Sequence, residues 1–114
     1  MQHKQLQFGH GYKVVLTDER SQAAQMTLAP GNAEGGPENR HEGADQWPFV
    51  VSGEGLAIAE GERMELREGT LLPIQRGESH EIRNTGKDSL KTLNFYVPPG
   101  YTFEGDELPA GMAE

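Results

Sequence analysis

Cysteine is absent from this chain of 114 residues. That removes a disulfide framework, a thiolate metal centre and a cysteine nucleophile. Basic residues are scarce: 10 Lys and Arg stand against 18 Asp and Glu, a net charge of −8. Binding to nucleic acid or an anionic membrane draws on clustered positive side chains, so both partners are disfavoured. No apolar run approaches the roughly 20 residues a membrane helix needs. The opening Met1-Gln2-His3-Lys4-Gln5 lacks the apolar segment of a secretory leader, and the expectation is a cytoplasmic protein. A helical period sustained over three turns is missing as well; residues 21–26 offer only a weak one.

Turn-formers are plentiful. The chain has 15 glycines and 7 prolines, spaced between β-rich runs such as Phe49-Val50-Val51 and Leu93-Asn94-Phe95-Tyr96-Val97. Grouping apolar residues in this way argues against disorder. One domain of this length buries about two-thirds of its unfolded surface, enough for a core without staples. Strands are expected at residues 12–17, 22–28, 39–41, 46–52, 56–59, 63–66, 70–74, 80–83 and 90–97, with a break at Gly35-Gly36-Pro37. Short strands joined by frequent turns read as an all-β sandwich or barrel, here over residues 1–99. Residues 100–114 read as an irregular C-terminal tail. It is either a flexible acidic segment or one pinned over the barrel or a partner subunit by Tyr101, Phe103 and Leu108.

Two segments carry the chemistry. The first runs Gly36-Pro37-Glu38-Asn39-Arg40-His41-Glu42-Gly43-Ala44-Asp45-Gln46-Trp47 and leads to Gly53-Glu54-Gly55. The second combines Gly69-Thr70-Leu71-Leu72-Pro73 with Gly77-Glu78-Ser79-His80-Glu81-Ile82-Arg83-Asn84. On strands, Asn39 and His41 share a face, as do His80, Ile82 and Asn84. A slip of one residue would aim His80 at solvent. The plainer alternative is that His41 and His80 are ordinary surface or half-buried imidazoles. His3 and His10 belong to no motif, and His10 reads as a turn residue.

The two segments resemble the two motifs of the cupin family, a double-stranded β-helix or jelly-roll barrel. In the second, Gly69, Gly77, His80 and Asn84 keep the family's spacing, with Gln75 in the usual Pro position and Pro73 two residues earlier. Registering the first motif on Gly53 puts Gln46 at the family's Glu, His41 at its second His and Asn39 at its first. The resemblance covers roughly residues 35–97. It implies a divalent transition metal (Zn, Ni, Fe or Mn) on Asn39, His41, Gln46 and His80, a small-molecule ligand inside the barrel, and a homodimer. Two of the four metal positions depart from the family's three His and one Glu. Two imidazoles and two carboxamides bring no charge, so they would hold an ion more weakly while leaving it a stronger Lewis acid. Glu38, Glu42 and Asp45 flank the set and could restore charge from behind it.

Three functions stay open, because this fold hosts many chemistries. One is a metal-dependent enzyme acting on a small polar or carboxylated molecule, with Glu42 or Tyr96 moving a proton; oxygen chemistry is its less favoured branch. Another is a non-catalytic sensor or storage module. The third is a structural dimer whose motif residues are relics. Tyr96 shares a face with Asn94, and the alternative to a proton donor is a buried phenol satisfied by a backbone carbonyl. Arg40, Arg76 and Arg83 are either an anion clamp or solvated strand-face residues. Trp47 reads as core or dimer interface before ligand platform, and Pro48 points to an edge or a bulge.

Overall fold

A computed structural model describes residues 1–40 and 43–102, apart from the side chains of residues 37–40. Eight strands follow in order: β1 Gly11–Thr17, β2 Gln22–Leu28, β3 Ala33–Arg40, β4 Asp45–Ser52, β5 Gly55–Ala59, β6 Glu62–Leu66, β7 Ser79–Asn84 and β8 Leu90–Val97. They build two four-stranded sheets, ordered β1-β2-β8-β4 and β3-β7-β5-β6. Every pairing is antiparallel. The expected all-β double-stranded β-helix is the architecture found. Among the described residues no helix is long and apolar enough to cross a membrane.

Three local expectations need correcting. The weak helical period over residues 21–26 is not realised: the strand expected at 22–28 is β2, held on both sides by β1 and β8, and tertiary pairing overrides a faint period. The Gly35-Gly36-Pro37 break does not end a strand. β3 runs through it, and the register against β7 shifts between Gly36, opposite His80, and Arg40, opposite Ser79. Glycine and proline here produce an irregularity inside a strand. Residues 70–74 form no full strand, only bridges from Leu71 to Phe49 and from Ile74 to Gln46.

Pro48 explains that third case. The amides of Gln46 and Val50 donate across to Ile74 and Thr70 at 2.8 Å each, and Leu72 donates to the Pro48 carbonyl at 3.1 Å. By strand alternation the Pro48 nitrogen faces the same side, where it has no hydrogen to give. β4 is therefore the edge of its sheet, with the bare nitrogen turned to the loosely laced side.

Alternation then sorts the interior. Gln46, Pro48 and Val50 on β4 and Leu90, Thr92, Asn94 and Tyr96 on β8 are buried at every second position, and Gln22, Ala24, Met26 and Leu28 form the matching row on β2, where Gln25 and Thr27 are buried as well. The register sets Gln22 beside Tyr96 and Tyr96 beside Gln46, while Leu28 lies opposite Leu90. One end of the barrel is thus polar and the other hydrocarbon. Met26, Leu28, Val50, Ala57, Leu66, Leu72, Ile74, Ile82 and Leu90 form that hydrocarbon plug. Each large member contributes about 1.5–3 kcal/mol of burial.

The motif glycine Gly53 makes the turn that carries the chain from β4 in one sheet to β5 in the other, at φ 98°. A Cβ there would lie 2.6 Å from the Ser89 carbonyl oxygen and 2.8 Å from the Leu90 Cα, so backbone packing alone demands glycine. Asn84 stitches the same end. Its Nδ2 donates to the Leu28 and Asp88 carbonyls at 2.8 Å each, and its Oδ1 accepts from the Gly86 amide at 2.8 Å. Two family positions therefore maintain the fold rather than touch a ligand.

Candidate functional site

A cavity of about 250 Å³ lies at the polar end, walled by Tyr12, Met26, Glu34, Gln46, His80, Ile82, Asn94, Tyr96 and Tyr101. Larger hollows of about 780 and 650 Å³ are open grooves around the Glu54 and Thr85 turns, with no His or Tyr among the described residues of their walls. The barrel cavity, where imidazole, phenol and carboxamide groups meet, is the site with chemistry in it.

His80 arrives on β7 between Gly36 of β3 and Ala59 of β5, its cross-strand neighbours. Both are small and leave the ring room. Its Nδ1 lies 3.5 Å from the Glu78 carbonyl oxygen; a proton on that nitrogen leaves Nε2 as the one carrying a lone pair. The strand entry is fixed from the β5–β6 turn. There the Glu60 carboxylate accepts from the Ser79 amide at 2.7 Å and from its hydroxyl at 2.6 Å. Glu60 does this from a left-handed backbone, φ 48°.

Gln46 comes from β4 at 6% exposure, directly opposite Tyr96, which is 2% exposed. The Tyr101 ring packs 5.0 Å from that of Tyr96 and 5.3 Å from that of Tyr12, centroid to centroid. This agrees with the reading in which Tyr101 pins the chain after β8 onto the barrel; Phe103 and Leu108 lie outside the described residues. Gln22 is the clamp. Its Nε2 donates to the Tyr101 carbonyl at 2.7 Å and to the Thr17 hydroxyl at 3.0 Å. Its Oε1 accepts the amides of Gly100 at 3.2 Å and Tyr101 at 3.0 Å.

Burial sets the electrostatics. Loss of solvent pushes the hydroxyls of Tyr12 and Tyr96 well above the usual phenol range, so both stay protonated. The two hydroxyls influence each other, and the Asn94 carboxamide lies beside that of Tyr96. Even so, the Tyr12 hydroxyl forms no well-made hydrogen bond and is shut off from solvent, as is the Asn94 Oδ1. Among the described residues Glu34 is the wall's only carboxylate, and no Lys or Arg lines the cavity.

The expected site residues are distributed as follows. Gln46, His80 and Tyr96 meet on the cavity wall. The Asn39 side chain, His41 and Glu42 lie outside the described residues. Among the described residues no group of three or more His, Cys, Asp or Glu comes together. Asp45 is engaged elsewhere: the Arg76 amide donates to it at 2.9 Å and the Arg76 Nε lies 3.4 Å away. Those contacts, the backbone one first, hold its carboxyl below the usual range. Arg83 pairs with Glu81. Arg76 and Arg83 are therefore surface residues and do not clamp an anion in the cavity. Trp47 is 41% exposed beside Phe95 at 39%, on the outer face of its sheet, which makes it neither core nor cavity wall.

Tyr12, Gln22 and Glu34 were not anticipated from the sequence. Tyr12 alternates with the buried Val14 on β1, which could have placed it inward. Nothing in the residue order shows Gln22 gripping a segment nearly eighty positions away.

The family model for the cupin domain matches residues 24–96. The chain belongs to the cupin family. An oxalate-binding protein from Thermotoga maritima is 34% identical over 70 residues, which is 61% of this chain and 56% of that one. This cupin thus spans just over half of that relative's length. Among solved structures, a predicted oxalate decarboxylase from Thermotoga maritima aligns at 30% identity and a TM-score of 0.63, covering 69% of this chain and 67% of its own. KdgF from Halomonas sp. aligns at 26% identity and a TM-score of 0.69, covering 77% of each chain.

Proposed function

We propose that this cupin holds a small polar or carboxylated molecule in the 250 Å³ cavity, together with a divalent transition metal ion, and acts on it as a metal-dependent enzyme. The supporting observation is a cavity wall that brings imidazole, phenol, carboxamide and carboxylate groups together, at one end of a barrel otherwise plugged with hydrocarbon. A concave site with a few convergent polar groups is the usual place for a small ligand. The names of the two Thermotoga maritima relatives, oxalate-binding protein and predicted oxalate decarboxylase, favour a small carboxylated one.

The wall suits a cation. Its described residues offer an imidazole, an amide oxygen and the Glu34 carboxylate, with no ammonium or guanidinium among them to repel an ion. His80 and Gln46 would hold it, with His41 and Asn39 completing the set. A bound ion would supply Lewis acidity to a carbonyl or carboxyl oxygen. Tyr96, kept protonated by burial, would donate a proton, and Glu42 is the other candidate to move one. A homodimer belongs to the same reading, as does a domain over residues 1–99 followed by a tail over 100–114. A non-catalytic binding module is the second reading. It is favoured by the neutral carboxamide at Gln46, where the family's Glu would add a charge.

The test is Gln46→Glu, titrated with Ni²⁺, Zn²⁺ and Mn²⁺ by calorimetry. Restoring a carboxylate should tighten the ion by about tenfold or more. Unchanged affinity removes Gln46 from the ligand set. Wild-type protein that takes up no stoichiometric metal after reconstitution sinks the metal-dependent reading altogether.

A further inference from the structure

Glu60 occupies a position that its own backbone preferences do not favour. Ala59 and Glu62 pair across β5 and β6, so Glu60 and Gly61 alone make the turn, at φ 48° and 82°. Two-residue turns with both central residues at positive φ favour Asn-Gly or Asp-Gly. Glutamate carries a Cβ into the left-handed region without the short polar side chain that bonds locally there. A non-glycine residue held in that region points to a task beyond the turn itself.

The task lies at the peptide joining Glu78 to Ser79. One carboxylate oxygen of Glu60 accepts both the Ser79 amide, at 2.7 Å, and the Ser79 hydroxyl, at 2.6 Å. The Glu60 amide in turn donates to the Ser79 carbonyl at 3.0 Å. Ser79 is 8% exposed, so little water competes for these bonds. The Ser79 N–H and the Glu78 C=O belong to one planar trans unit and point in opposite directions. Holding the first therefore aims the second. That Glu78 carbonyl is the group lying 3.5 Å from His80 Nδ1, a contact long enough that a small tilt of the peptide would break it.

We propose that Glu60 is a positioning residue for His80. Acting through the Glu78–Ser79 peptide, it aims the carbonyl that keeps a proton on Nδ1 and leaves the lone pair on Nε2. That Nε2 then serves an ion rests on the metal reading of the cavity; the tautomer does not.

Glu60→Gln and Glu60→Asp separate reach from charge. Glutamine keeps an oxygen at the same distance and loses the charge. Aspartate keeps the charge and suits the turn, but falls one methylene short of Ser79. In the metal-free full chain, nitrogen NMR shifts of the His80 ring should report Nδ1–H in wild type and Glu60→Gln, and a mixture of tautomers in Glu60→Asp. Calorimetry with Ni²⁺ should follow the same order, with Glu60→Gln close to wild type and Glu60→Asp weaker by about tenfold. Ser79→Ala, which deletes only the hydroxyl bond, should lower Tm yet leave the tautomer in place. A Glu60→Asp protein with wild-type tautomer and wild-type affinity overturns the proposal. So does the reverse order, aspartate retaining and glutamine losing, because Glu60 would then supply charge and not aim. Wild-type protein that takes up no Ni²⁺ ends the metal reading, and the positioning role then stands or falls on the His80 tautomer alone.

Discussion

Replacing Gln22 with leucine tests whether the cavity owes its shape to one buried side chain. Gln22 is 2% exposed and makes four hydrogen bonds, to Thr17, Gly100 and both backbone polar groups of Tyr101. Leucine has similar bulk and none of those groups. Were Gly100 and Tyr101 to stay in place, two amides and a carbonyl would lose their partners, at about 1–3 kcal/mol each. Releasing the segment instead forfeits the packing of Tyr101 on Tyr12 and Tyr96. Each ring pair contributes about 0.5–1.5 kcal/mol beyond the area it buries. The first route costs about 3–9 kcal/mol and the second about 1–3 kcal/mol plus the lost ring burial, so the cheaper release sets the outcome at about 3 kcal/mol. For a domain of this size that lowers Tm by about 12 °C.

A double-mutant cycle separates this mechanism from a generic core defect. If Gln22 acts through Tyr101, Gln22→Leu combined with Tyr101→Ala should cost about 2 kcal/mol less than the sum of the single losses. Urea unfolding of the four proteins reads the coupling directly. Additivity within about 0.5 kcal/mol would refute the clamp, because the two residues would then stabilise the barrel independently. Ligand affinity should fall alongside stability in Gln22→Leu, since the wall that Tyr101 supplies would be gone.

The remaining expectations concern the turn glycine Gly53 and alkaline pH. Gly53→Ala should destabilise by more than about 4 kcal/mol or prevent folding, because its Cβ meets fixed backbone at 2.6 Å. Gly9→Ala, with nothing within 4 Å of its Cβ, should sit within about 0.5 kcal/mol of wild type in the same urea series. Tyr12 and Tyr96 have raised folded-state values, so the native chain keeps protons that the unfolded chain sheds. That contribution is whole below the unfolded value near 10 and is lost as pH climbs towards the folded values. Stability should fall above about pH 10, by about 1.4 kcal/mol per pH unit for each of the two tyrosines. Tyr12→Phe should lessen the slope, and a flat profile up to about pH 11 would contradict the burial argument.

How much of this could be read from residue order depended on the range of the interaction. Strand alternation is local, so the inward set on β8 and the shared face of His80 and Ile82 were legible before any coordinates. Motif spacing located Gly53, Gly77 and Asn84 but not their reasons. Gly53 is required by Ser89 and Leu90, and Asn84 by Leu28, both contacts made across the barrel. The misjudged elements share a cause. Residues 70–74 and the Gly35-Gly36-Pro37 stretch have strand-like or break-like composition, yet a partner strand determines what they become. The same holds for the arginines: a positive charge near a motif suggests an anion clamp until Asp45 and Glu81 are found beside Arg76 and Arg83.

The division of the barrel into a wet end and a dry end follows from register rather than composition. Shift β2 by two residues against β8, and Gln22 would leave Tyr96 and meet Asn94, while Met26 would slide towards Leu90. Every inward residue would keep its face, and the hydrocarbon plug would survive. The clamp on Tyr101 would not, because only the row joining Gln22, Tyr96 and Gln46 brings a carboxamide within reach of the chain leaving β8. A site of this kind is thus specified by pairing between strands about seventy positions apart, which is why its polar residues looked unremarkable in the sequence and converge only in the fold.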